Sequence, residues 1–356
     1  MNEEGDQERI MADSQTVSAK PLLQALRGQR SAIPPWWLMR QAGRYLPEYR
    51  ALRATAGDFI TLCLTPKLAA EVTLQPIRRY GMDAAILFSD ILLVPRALGQ
   101  PLAFDGDGPK LRPVTELSEL HAVDLDMLAP VGVAARLVRA QLPRHTALIG
   151  FAGAPWTVAT YIVEGGTSRD FHRVKAWAYR DPAGFAALID TIAAATLDFL
   201  GLQIEAGADA VQLFDSWAGA LSPSGFERWV IKPTKWLVAQ LKARFPHTPI
   251  IGFPRGAGLL YDRYVGATGV DAVGLDTSVP ADFARDRLQS RVAVQGNLDP
   301  VLLLTGGDQM RHAVRELRGT LGGGPYIFNL GHGILPETPP EHVAELGRIL
   351  AEPLVT

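Results

Sequence analysis

Cysteine is almost absent from this chain, since Cys63 is the only one in 356 residues. One cysteine excludes an intrachain disulfide, and it excludes every zinc site that needs two thiolates. The chain also carries little net charge, because 35 basic and 37 acidic residues leave a balance of -2. It therefore lacks the general electrostatic attraction that draws basic proteins to nucleic acids and anionic membranes. We expect neither partner, and we expect a reducing, cytoplasmic location.

Several common signatures are missing as well. The sequence has no G-x-G-x-x-G motif after a strand, no Walker A loop and no G-x-S-x-G elbow, which removes the commonest dinucleotide, nucleotide and esterase sites. No uninterrupted apolar run approaches the roughly 18 residues that cross a bilayer. Residues 1–20 are acidic and have no apolar core, so they predict a disordered tail rather than a signal or transit peptide. We therefore expect one domain over residues 21–356.

The chain does contain a regular alternation of short apolar runs and helical patterns. Hydrophobic residues make up 47% and charged residues 20%, which is typical of a globular protein. Parallel strands that helices cover on both faces have such continuous apolar runs. The eight runs that we interpret as strands cover residues 36–39, 84–88, 147–151, 210–214, 249–253, 272–275, 292–295 and 326–330. Eight such βα units predict an α/β fold with a single (β/α)8 TIM barrel.

Local signals predict three of the connections between these runs. Apolar side chains at three- and four-residue spacing from Phe185 to Phe199 predict a helix that ends at Gly207. Ser222 followed by Pro223 predicts the cap and the first residue of the next helix. Prolines and glycines between residues 95 and 113 predict a non-helical, hairpin-like insert after strand two.

Two arginines follow the first run. In a barrel of this type the catalytic groups lie at the carboxyl ends of the strands, so the residues after each run are the candidates. Arg40 and Arg44 lie four residues apart. If the chain is helical there, both guanidinium groups project from one face and each can hold a carboxylate. The alternative is that they only decorate the start of a helix.

Asp90 follows the second run and has apolar neighbours on both sides in the sequence. An ionised carboxylate in such surroundings is costly unless it accepts hydrogen bonds. One interpretation is a ligand-facing acceptor, or an acid with a raised pKa. The other is structural, with Asp90 capping a turn or pairing with Arg96.

His332 lies between Gly331 and Gly333 after the eighth run. The backbone can approach a ligand closely there, and the imidazole can donate a proton or a hydrogen bond. A structural histidine is the alternative. Tyr161 and Ser216 are further candidates, although a tyrosine on a helix also packs and a serine also caps turns. The histidine spacing indicates no metal ligands, so we expect no metal site.

These candidates lie in stretches that resemble the uroporphyrinogen decarboxylase family. Residues 37–50 read WLMRQAGRYLPEYR and residues 150–157 read GFAGAPWT, which are similar to the two signature stretches of the family. Residues 88–92, 295–300 and 329–334 also match its pattern, and the resemblance extends from about Pro21 to Leu350. The resemblance implies a homodimeric (β/α)8 enzyme without a cofactor. It implies that the acetate side chains of uroporphyrinogen III become methyl groups, releasing coproporphyrinogen III and CO2 in haem or chlorophyll biosynthesis.

The resemblance also implies roles for the candidate residues. Asp90 would accept hydrogen bonds from the pyrrole N–H groups and stabilise a cationic intermediate. Arg40 and Arg44 would bind substrate carboxylates, and Arg40 is also a candidate proton donor. Tyr161, Ser216 and His332 would orient the substrate by hydrogen bonds, and the catalytic set would be Asp90, Arg40, Tyr161 and His332.

Small residues in the same stretches imply close approach of the backbone to the substrate. These positions, with Gln41 beside them, are Ala42, Gly43 and Gly333.

Two alternatives to the decarboxylase stay open. A barrel of this kind can bind a tetrapyrrole without transforming it. The same superfamily also contains zinc-dependent methyltransferases, which the single Cys63 disfavours because their zinc is held by thiolates.

Overall fold

The computed structural model of the protein describes residues 20–105 and 108–353. The predicted disordered tail lies outside the described residues except for Lys20, and so do residues 106 and 107 of the predicted insert. The strands are β1 Ala84–Ile86, β2 Leu102–Asp105, β3 Gly108–Leu111, β4 Ala147–Gly153, β5 Ala210–Asp215, β6 Ile250–Pro254, β7 Ala272–Gly274, β8 Ala293–Leu298 and β9 Tyr326–Leu330. The helices are α1 Pro21–Leu26, α2 Pro47–Thr55, α3 Phe59–Leu64, α4 Pro66–Tyr80, α5 Leu93–Ala97, α6 Leu125–Gln141, α7 Pro155–Glu164, α8 His172–Arg180, α9 Pro182–Glu205, α10 Pro223–Phe226, α11 Lys232–Arg244, α12 Tyr261–Thr268, α13 Ala281–Phe283, α14 Pro300–Thr305, α15 Gly307–Leu321 and α16 Pro340–Ala351. Short 3₁₀ turns lie at Leu117–Glu119, Ala218–Ala220 and Gly258–Leu260, and π-helical turns lie at Glu227–Ile231 and Ala284–Leu288.

Seven of these strands form one curled parallel sheet in the order β1-β4-β5-β6-β7-β8-β9. Each strand pairs with the next in parallel, as where Ala84 lies opposite Ala147 and Gly153 lies opposite Phe214. Helices connect successive strands and pack against the sheet, as α9 does against β4. The predicted α/β class with a parallel sheet is confirmed, and so are seven of the eight predicted strands.

The predicted first strand, residues 36–39, is not a regular strand. Trp36 makes a single parallel bridge with Phe328 of β9. Its carbonyl oxygen accepts the N–H of Asp83, just before β1, at 3.0 Å. Gln41 Oε1 accepts the Leu38 N–H at 2.9 Å, so a side chain takes a backbone donor that a strand ladder would use. The prediction of a full strand here is wrong for that reason.

The segment after β1 contains a short helix and a strand pair. Strands β2 and β3 are antiparallel, with Leu102 opposite Leu111. Helix α5 extends to Ala97, so the expectation of a non-helical chain from residue 95 is wrong for its first three residues. The helix tolerates Pro95 because a proline in the first turn removes an N–H that has no helical acceptor. Gly99, which has a positive φ, lies two residues after its end.

Both helices that the sequence predicted from local signals are confirmed. Helix α9 buries a stripe that includes Phe185 and Phe199. Ser222 caps α10, since its hydroxyl oxygen accepts the Gly225 N–H at 3.2 Å, and Pro223 occupies the first helical position.

Helix α9 is also long and apolar enough to cross a membrane, judged by length and composition alone. In the structure it packs against α6, α7 and α11 as well as β4, and more than half of its most apolar stretch is buried. Core helices of water-soluble proteins meet the same criterion, so this helix by itself assigns no membrane role.

The inward-facing side chains of the sheet form a core of their own. Ile149, Phe253 and Ile327 belong to it, and Trp37 of the irregular first segment does too. Burial of each such side chain contributes about 1.5–3 kcal/mol to folding. Helix α1 packs into the same core. Lys20, at the start of α1, pairs with Asp209 directly before β5, which puts α1 at the amino ends of the strands.

Candidate active site

An open cavity of about 720 Å³ lies at the carboxyl ends of the strands. Its walls come from the ends of β1, β4 and β5, from the residues after β9 and from the turn after Met39. Phe151 of β4 and Phe214 of β5 face it, packed edge to face with ring centroids 5.5 Å apart. A cavity of this size suits a small molecule, and apolar walls with a few polar groups are usual in such sites.

The cavity brings together nearly all of the predicted site residues. Because they come from separate segments of the chain, the fold assembles them. Those that line the cavity are Arg40, Ala42, Gly43, Arg44, Asp90, Tyr161, Ser216, His332 and Gly333.

Gln41 is the predicted site residue that the cavity wall does not include. Its side chain is fully buried. Oε1 accepts the Leu38 N–H at 2.9 Å, and Nε2 donates to the Ala84 carbonyl oxygen at 3.0 Å. Both ends of the amide therefore fasten the irregular first segment to β1. The amide is thus engaged within the protein, and the close approach of a substrate predicted at Gln41 stays a prediction.

Residues 40–46 form turns and bends rather than the helix that would place both arginines on one face. Arg40 has a left-handed backbone with a φ of 63°. A Cβ at Gly43 would lie 2.8 Å from the Arg40 carbonyl oxygen, so this turn requires glycine there. Helix α2 begins only at Pro47. The helical premise is wrong, yet Arg40 and Arg44 still line the same cavity.

The electrostatic surroundings of Arg40 make it an unusual arginine. Burial lowers the pKa of its guanidinium, and the charges of Arg44 and Arg255 lower it further, while Tyr161 and Asp90 act in the opposite direction. A lowered pKa makes the group a better proton donor than a free arginine. The surrounding positive charge also favours bound anions.

Asp90 is half-buried at the cavity wall. Its Oδ1 accepts the Leu92 N–H at 2.8 Å. Burial raises its pKa to about 6, although the Leu92 N–H and the charge of Arg40 oppose the shift. The turn-capping bond expected of a structural aspartate is present, but within residues 20–105 and 108–353 the carboxyl forms no ion pair with Arg96. Asp90 thus caps a turn and also faces the cavity.

Tyr161 of α7 and Ser216 after β5 present hydroxyl groups to the cavity. Burial raises the pKa of Tyr161, and the neighbouring Trp217 side chain opposes the shift. The rings of Tyr161 and Trp217 lie 6.3 Å apart between centroids. The Tyr161 hydroxyl therefore stays protonated and can donate a hydrogen bond to a ligand.

His332 is neutral near pH 7. Burial lowers the pKa of its imidazole to about 4, and the charges of Arg40 and Arg255 add to the effect. Its Nδ1 is buried and has no hydrogen-bond partner in the part of the chain that the structure describes. A buried polar atom without a partner is unfavourable, so this ring is suited to bind a ligand or a water molecule.

The cavity also includes residues that the sequence reasoning missed. Arg53 of α2 adds a third arginine and donates to the Gly57 carbonyl oxygen at 2.6 Å. Phe59 and Phe104, with ring centroids 4.7 Å apart, bring the β2–β3 pair to the same wall. No local spacing signals Arg53 or these rings. By contrast, Phe151 and Phe214 are recognisable in the sequence as aromatic residues near the ends of predicted strands.

Polar residues after β7 and within β8 support the loops instead of lining the cavity. Asp276 accepts the Gly256 N–H at 2.7 Å and the Tyr261 hydroxyl at 3.1 Å. Burial alone would raise the pKa of Asp276, but such bonds hold it below its usual value. Asn297 Nδ2 donates to the Asp276 carbonyl oxygen at 2.8 Å. Among the described residues, no group of three His, Cys, Asp or Glu side chains is arranged to hold a metal ion.

The chain is similar to known proteins over nearly its whole length. Residues 18–352 match the family model described as Uroporphyrinogen decarboxylase (URO-D). A protein named uroporphyrinogen decarboxylase from Rhodospirillum rubrum is 55% identical over 339 residues, which cover 94% of this chain and 97% of that protein. One of the same name from Rhizorhabdus wittichii is 56% identical over 334 residues, covering 93% and 97%.

Solved structures show the same fold at much lower identity. A methyltransferase from Methanosarcina mazei has a TM-score of 0.77 at 20% identity, covering 93% of this chain and 97% of that chain. A B12-independent methionine synthase from Shewanella sp. W3-18-1 has a TM-score of 0.53 at 10% identity, covering 80% and 87%. These likenesses bear on the fold alone. The family follows from the sequence relatives and the family model: this chain belongs to the uroporphyrinogen decarboxylase family.

Proposed function

We propose that the cavity binds uroporphyrinogen III and that the residues around it convert its four acetate side chains to methyl groups. As a member of its family, the protein is a carboxy-lyase of tetrapyrrole biosynthesis. In each step a CH2–COO⁻ group takes up a proton and becomes CH3 with loss of CO2. Four steps give coproporphyrinogen III and four CO2. The observation that carries the proposal is one cavity-facing carboxyl, Asp90, in a wall that also presents three arginines.

The arginines suit a substrate that carries eight carboxylates. Arg40, Arg44 and Arg53 all line the cavity. A guanidinium group binds a carboxylate through two parallel hydrogen bonds, which fixes orientation as well as charge. The three groups supply the attraction that the chain's near-zero net charge does not.

The carboxylate of Asp90 repels the carboxylates of a polyanionic substrate, so its place in this site requires a favourable interaction that outweighs the repulsion. The uncharged pyrrole N–H groups at the centre of the macrocycle supply that interaction. The Leu92 N–H occupies only part of the acceptor capacity of Asp90, so the carboxylate can also accept pyrrole donors. Those bonds favour the ionised form and would lower the pKa of Asp90 from about 6 when substrate binds.

The electrons of the broken C–C bond go into the pyrrole ring of the substrate. Protonation of a ring carbon first makes a cation that can accept them, and the Asp90 carboxylate stabilises this cation. After CO2 has left, the remaining CH2 takes up a second proton to become CH3 and the ring carbon releases the first, so each step consumes one proton. Arg40 is the candidate proton donor because burial lowers its pKa. His332 is neutral near pH 7, so in this scheme it donates or accepts hydrogen bonds and does not act as an imidazolium acid.

Uncharged donors and small residues complete the binding surface. Tyr161, Ser216 and His332 line the cavity and orient acetate or propionate groups. Ala42 and Gly43 let the substrate approach the backbone closely.

Neither alternative function is favoured. Proteins more than half identical to this chain carry the name of the decarboxylase, with 55% identity in one case. The methyltransferase likeness concerns the fold, and Cys63 is a poor zinc ligand because it is buried and burial raises the pKa of its thiol far above the usual range.

Further parts of the proposal concern the whole protein. We propose a closed (β/α)8 barrel in which residues 36–39 take the eighth place. In support, the Phe328 N–H donates to the Pro35 carbonyl oxygen at 2.9 Å and the Asp83 N–H donates to that of Trp36 at 3.0 Å, so the segment is bonded on both sides. We also propose a single domain over residues 21–356, a homodimer, a cytoplasmic location and no membrane or nucleic-acid partner.

The direct test is an anaerobic incubation with uroporphyrinogen III, with EDTA present and no cofactor added. The products are oxidised and separated by carboxyl number. We expect a progression from eight carboxyl groups through seven, six and five to four. Binding without loss of carboxyl groups would favour the silent tetrapyrrole-binding barrel, and activity only after addition of zinc would revive the metal-dependent alternative.

A further inference from the structure

Asp215, the last residue of β5, carries a carboxyl group that the proposed reaction does not use. It is 2% exposed and lies outside the cavity wall. Its Oδ1 accepts the Thr157 hydroxyl at 2.5 Å, whereas Oδ2 is buried and has no hydrogen-bond partner among the described residues. Burial raises its pKa to about 7, against the bonds from Thr157. A buried carboxyl with an unsatisfied oxygen destabilises the fold, so its presence needs a compensating role.

Thr157 fastens α7 to the residues on both sides of Ser216. It is fully buried, and its hydroxyl donates to Asp215 and accepts the Trp217 N–H at 3.0 Å. The neighbouring Trp156 donates its indole N–H to the Trp217 carbonyl oxygen at 2.9 Å. Helix α7 thus holds the backbone of Trp217 at its N–H and at its carbonyl. Ser216, between two held residues, cannot shift without breaking these bonds.

The same segment also positions Tyr161. This residue lies one helical turn beyond Thr157 on α7, and its ring lies beside that of Trp217, with centroids 6.3 Å apart. Phe171 packs against the Trp217 ring with centroids 5.2 Å apart. The hydroxyls of Ser216 and Tyr161 come from different elements, yet contacts outside the cavity set the distance between them.

We propose that Thr157 and Asp215 are positioning residues, which hold the Ser216 and Tyr161 hydroxyls at the spacing needed to bind one substrate molecule while its acetates are removed in turn. The inference rests on the proposed function, in which those two hydroxyls touch the substrate. It gives a role to Trp156 and Thr157 of the GFAGAPWT stretch, whose side chains lie outside the cavity wall. Misplacement of a binding group by about 1 Å can cost up to about a hundredfold in rate.

A double-mutant cycle tests whether Thr157 acts through Ser216. Thr157→Val keeps the shape and removes the hydroxyl. Thr160→Val is the matched control, because Thr160 is buried on the same helix but its hydroxyl donates to the Thr157 carbonyl oxygen at 2.6 Å, within the helix. In the wild-type background we expect Thr157→Val to lower kcat/KM about tenfold. In the Ser216→Ala background we expect the same substitution to lower kcat/KM less than about threefold. The proposal would be overturned if the double variant lost the product of the two single losses in kcat/KM. It would also be overturned if Thr160→Val lowered kcat/KM as much as Thr157→Val does.

Two further variants separate positioning from a general loss of folding. Thr157→Ser retains the hydroxyl and should restore kcat/KM to within about threefold of wild type. A loss as large as that of Thr157→Val would overturn the proposal. If Thr157→Val does not fold, Trp217→Phe takes its place, because it keeps an aromatic ring between Phe171 and Tyr161 and removes the indole N–H. In a Tyr161→Phe background the effect of Trp217→Phe on kcat/KM should then largely disappear. An undiminished effect would overturn the positioning role.

The cycle is also run on the Kd for uroporphyrinogen III, measured by anaerobic equilibrium dialysis. Absence of decarboxylation by the wild-type protein would contradict the proposed function. The cycle on Kd still decides the positioning role in that case, since non-additive losses in binding support it and additive losses overturn it.

Discussion

The side chain of Arg40 lies against the backbone of Gly333, at the far end of the chain. A Cβ at Gly333 would stand 2.3 Å from Cδ, 2.7 Å from Cγ and 2.9 Å from Nε of Arg40. Gly333 does not have a positive φ, so its backbone conformation does not require glycine. The close approach of a substrate that the sequence predicted for Gly333 stays a prediction, and what the structure shows there is close packing against a cavity-lining arginine. The residues after β9 thereby set where that arginine points.

Gly333→Ala should displace the Arg40 side chain from its place in the cavity. We expect kcat/KM to fall at least about tenfold while the melting temperature changes by only a few degrees, since the added methyl meets the stem of a side chain. The control is Gly319→Ala in α15, where a Cβ would have no atom within 4 Å. An unchanged kcat/KM in Gly333→Ala would show that the position of Arg40 does not matter.

The ionisation of Asp90 should appear in the pH dependence of the reaction. Its pKa in the free protein is about 6, and stabilisation of the cationic intermediate requires the ionised form. Activity should therefore rise with pH through that value and level off above it, with kcat/KM at pH 5 about tenfold below the plateau. The measurement is kcat/KM from pH 5 to 8 at constant ionic strength. Because substrate carboxyls titrate at lower pH, Asp90→Asn is the control, and persistence of the same limb in that variant would contradict the assignment.

The sequence predicted the sheet well because its apolar runs are buried on both faces. Seven runs became strands, as in β9, where the prediction and the structure coincide from Tyr326 to Leu330. The run at residues 36–39 does not form a regular strand, because the side chain of Gln41, outside the run, accepts the Leu38 N–H. The Met39 N–H is likewise taken by a side chain, Asn329 Oδ1 at 3.0 Å, from a distant part of the chain, and no periodicity in the sequence reveals either bond.

The sequence located the site better than it described the local geometry there. Asp90 and His332 follow strands and line the cavity, because strand ends meet at one edge of a parallel sheet. The four-residue spacing of Arg40 and Arg44 indicated a helix, but Arg40 adopts a left-handed backbone and the chain turns. Arg53 was missed because it lies on a helix that reaches the cavity only through tertiary packing.

Arg53 should contribute to substrate binding more than to turnover. We expect Arg53→Gln to raise KM about tenfold and to change kcat less than about threefold, because a carboxylate-binding cation remote from the reacting carbon acts on substrate and transition state alike. The control is Arg78→Gln, which removes an exposed arginine paired with Glu71 on α4. Equal KM values for Arg53→Gln and wild type would remove Arg53 from the binding surface.

The buried carboxyl of Asp215 should make folding stability depend on pH. Its folded pKa of about 7 lies above the ordinary value of 3.8, so the folded state holds this proton more tightly than the unfolded state. The contribution of this group to the free energy of unfolding is therefore fully present below pH 3.8 and is lost as pH rises through about 7. Asp215→Asn should show a smaller fall in melting temperature between pH 6 and 8 than wild type. Parallel melting curves for the two proteins would mean that Asp215 does not titrate in this range.

The most direct test of the account is single-turnover decarboxylation of uroporphyrinogen III by Asp90→Asn, measured together with its Kd for that substrate. The proposed mechanism predicts CO2 release at least about a hundredfold slower than in wild type, because the cationic intermediate loses its carboxylate. It also predicts that binding weakens far less than turnover, since the amide oxygen of Asn still accepts pyrrole N–H bonds and a charge that repels the substrate carboxylates is gone. Turnover close to that of wild type, in a folded variant with normal binding, would contradict the role of Asp90 at the centre of the mechanism.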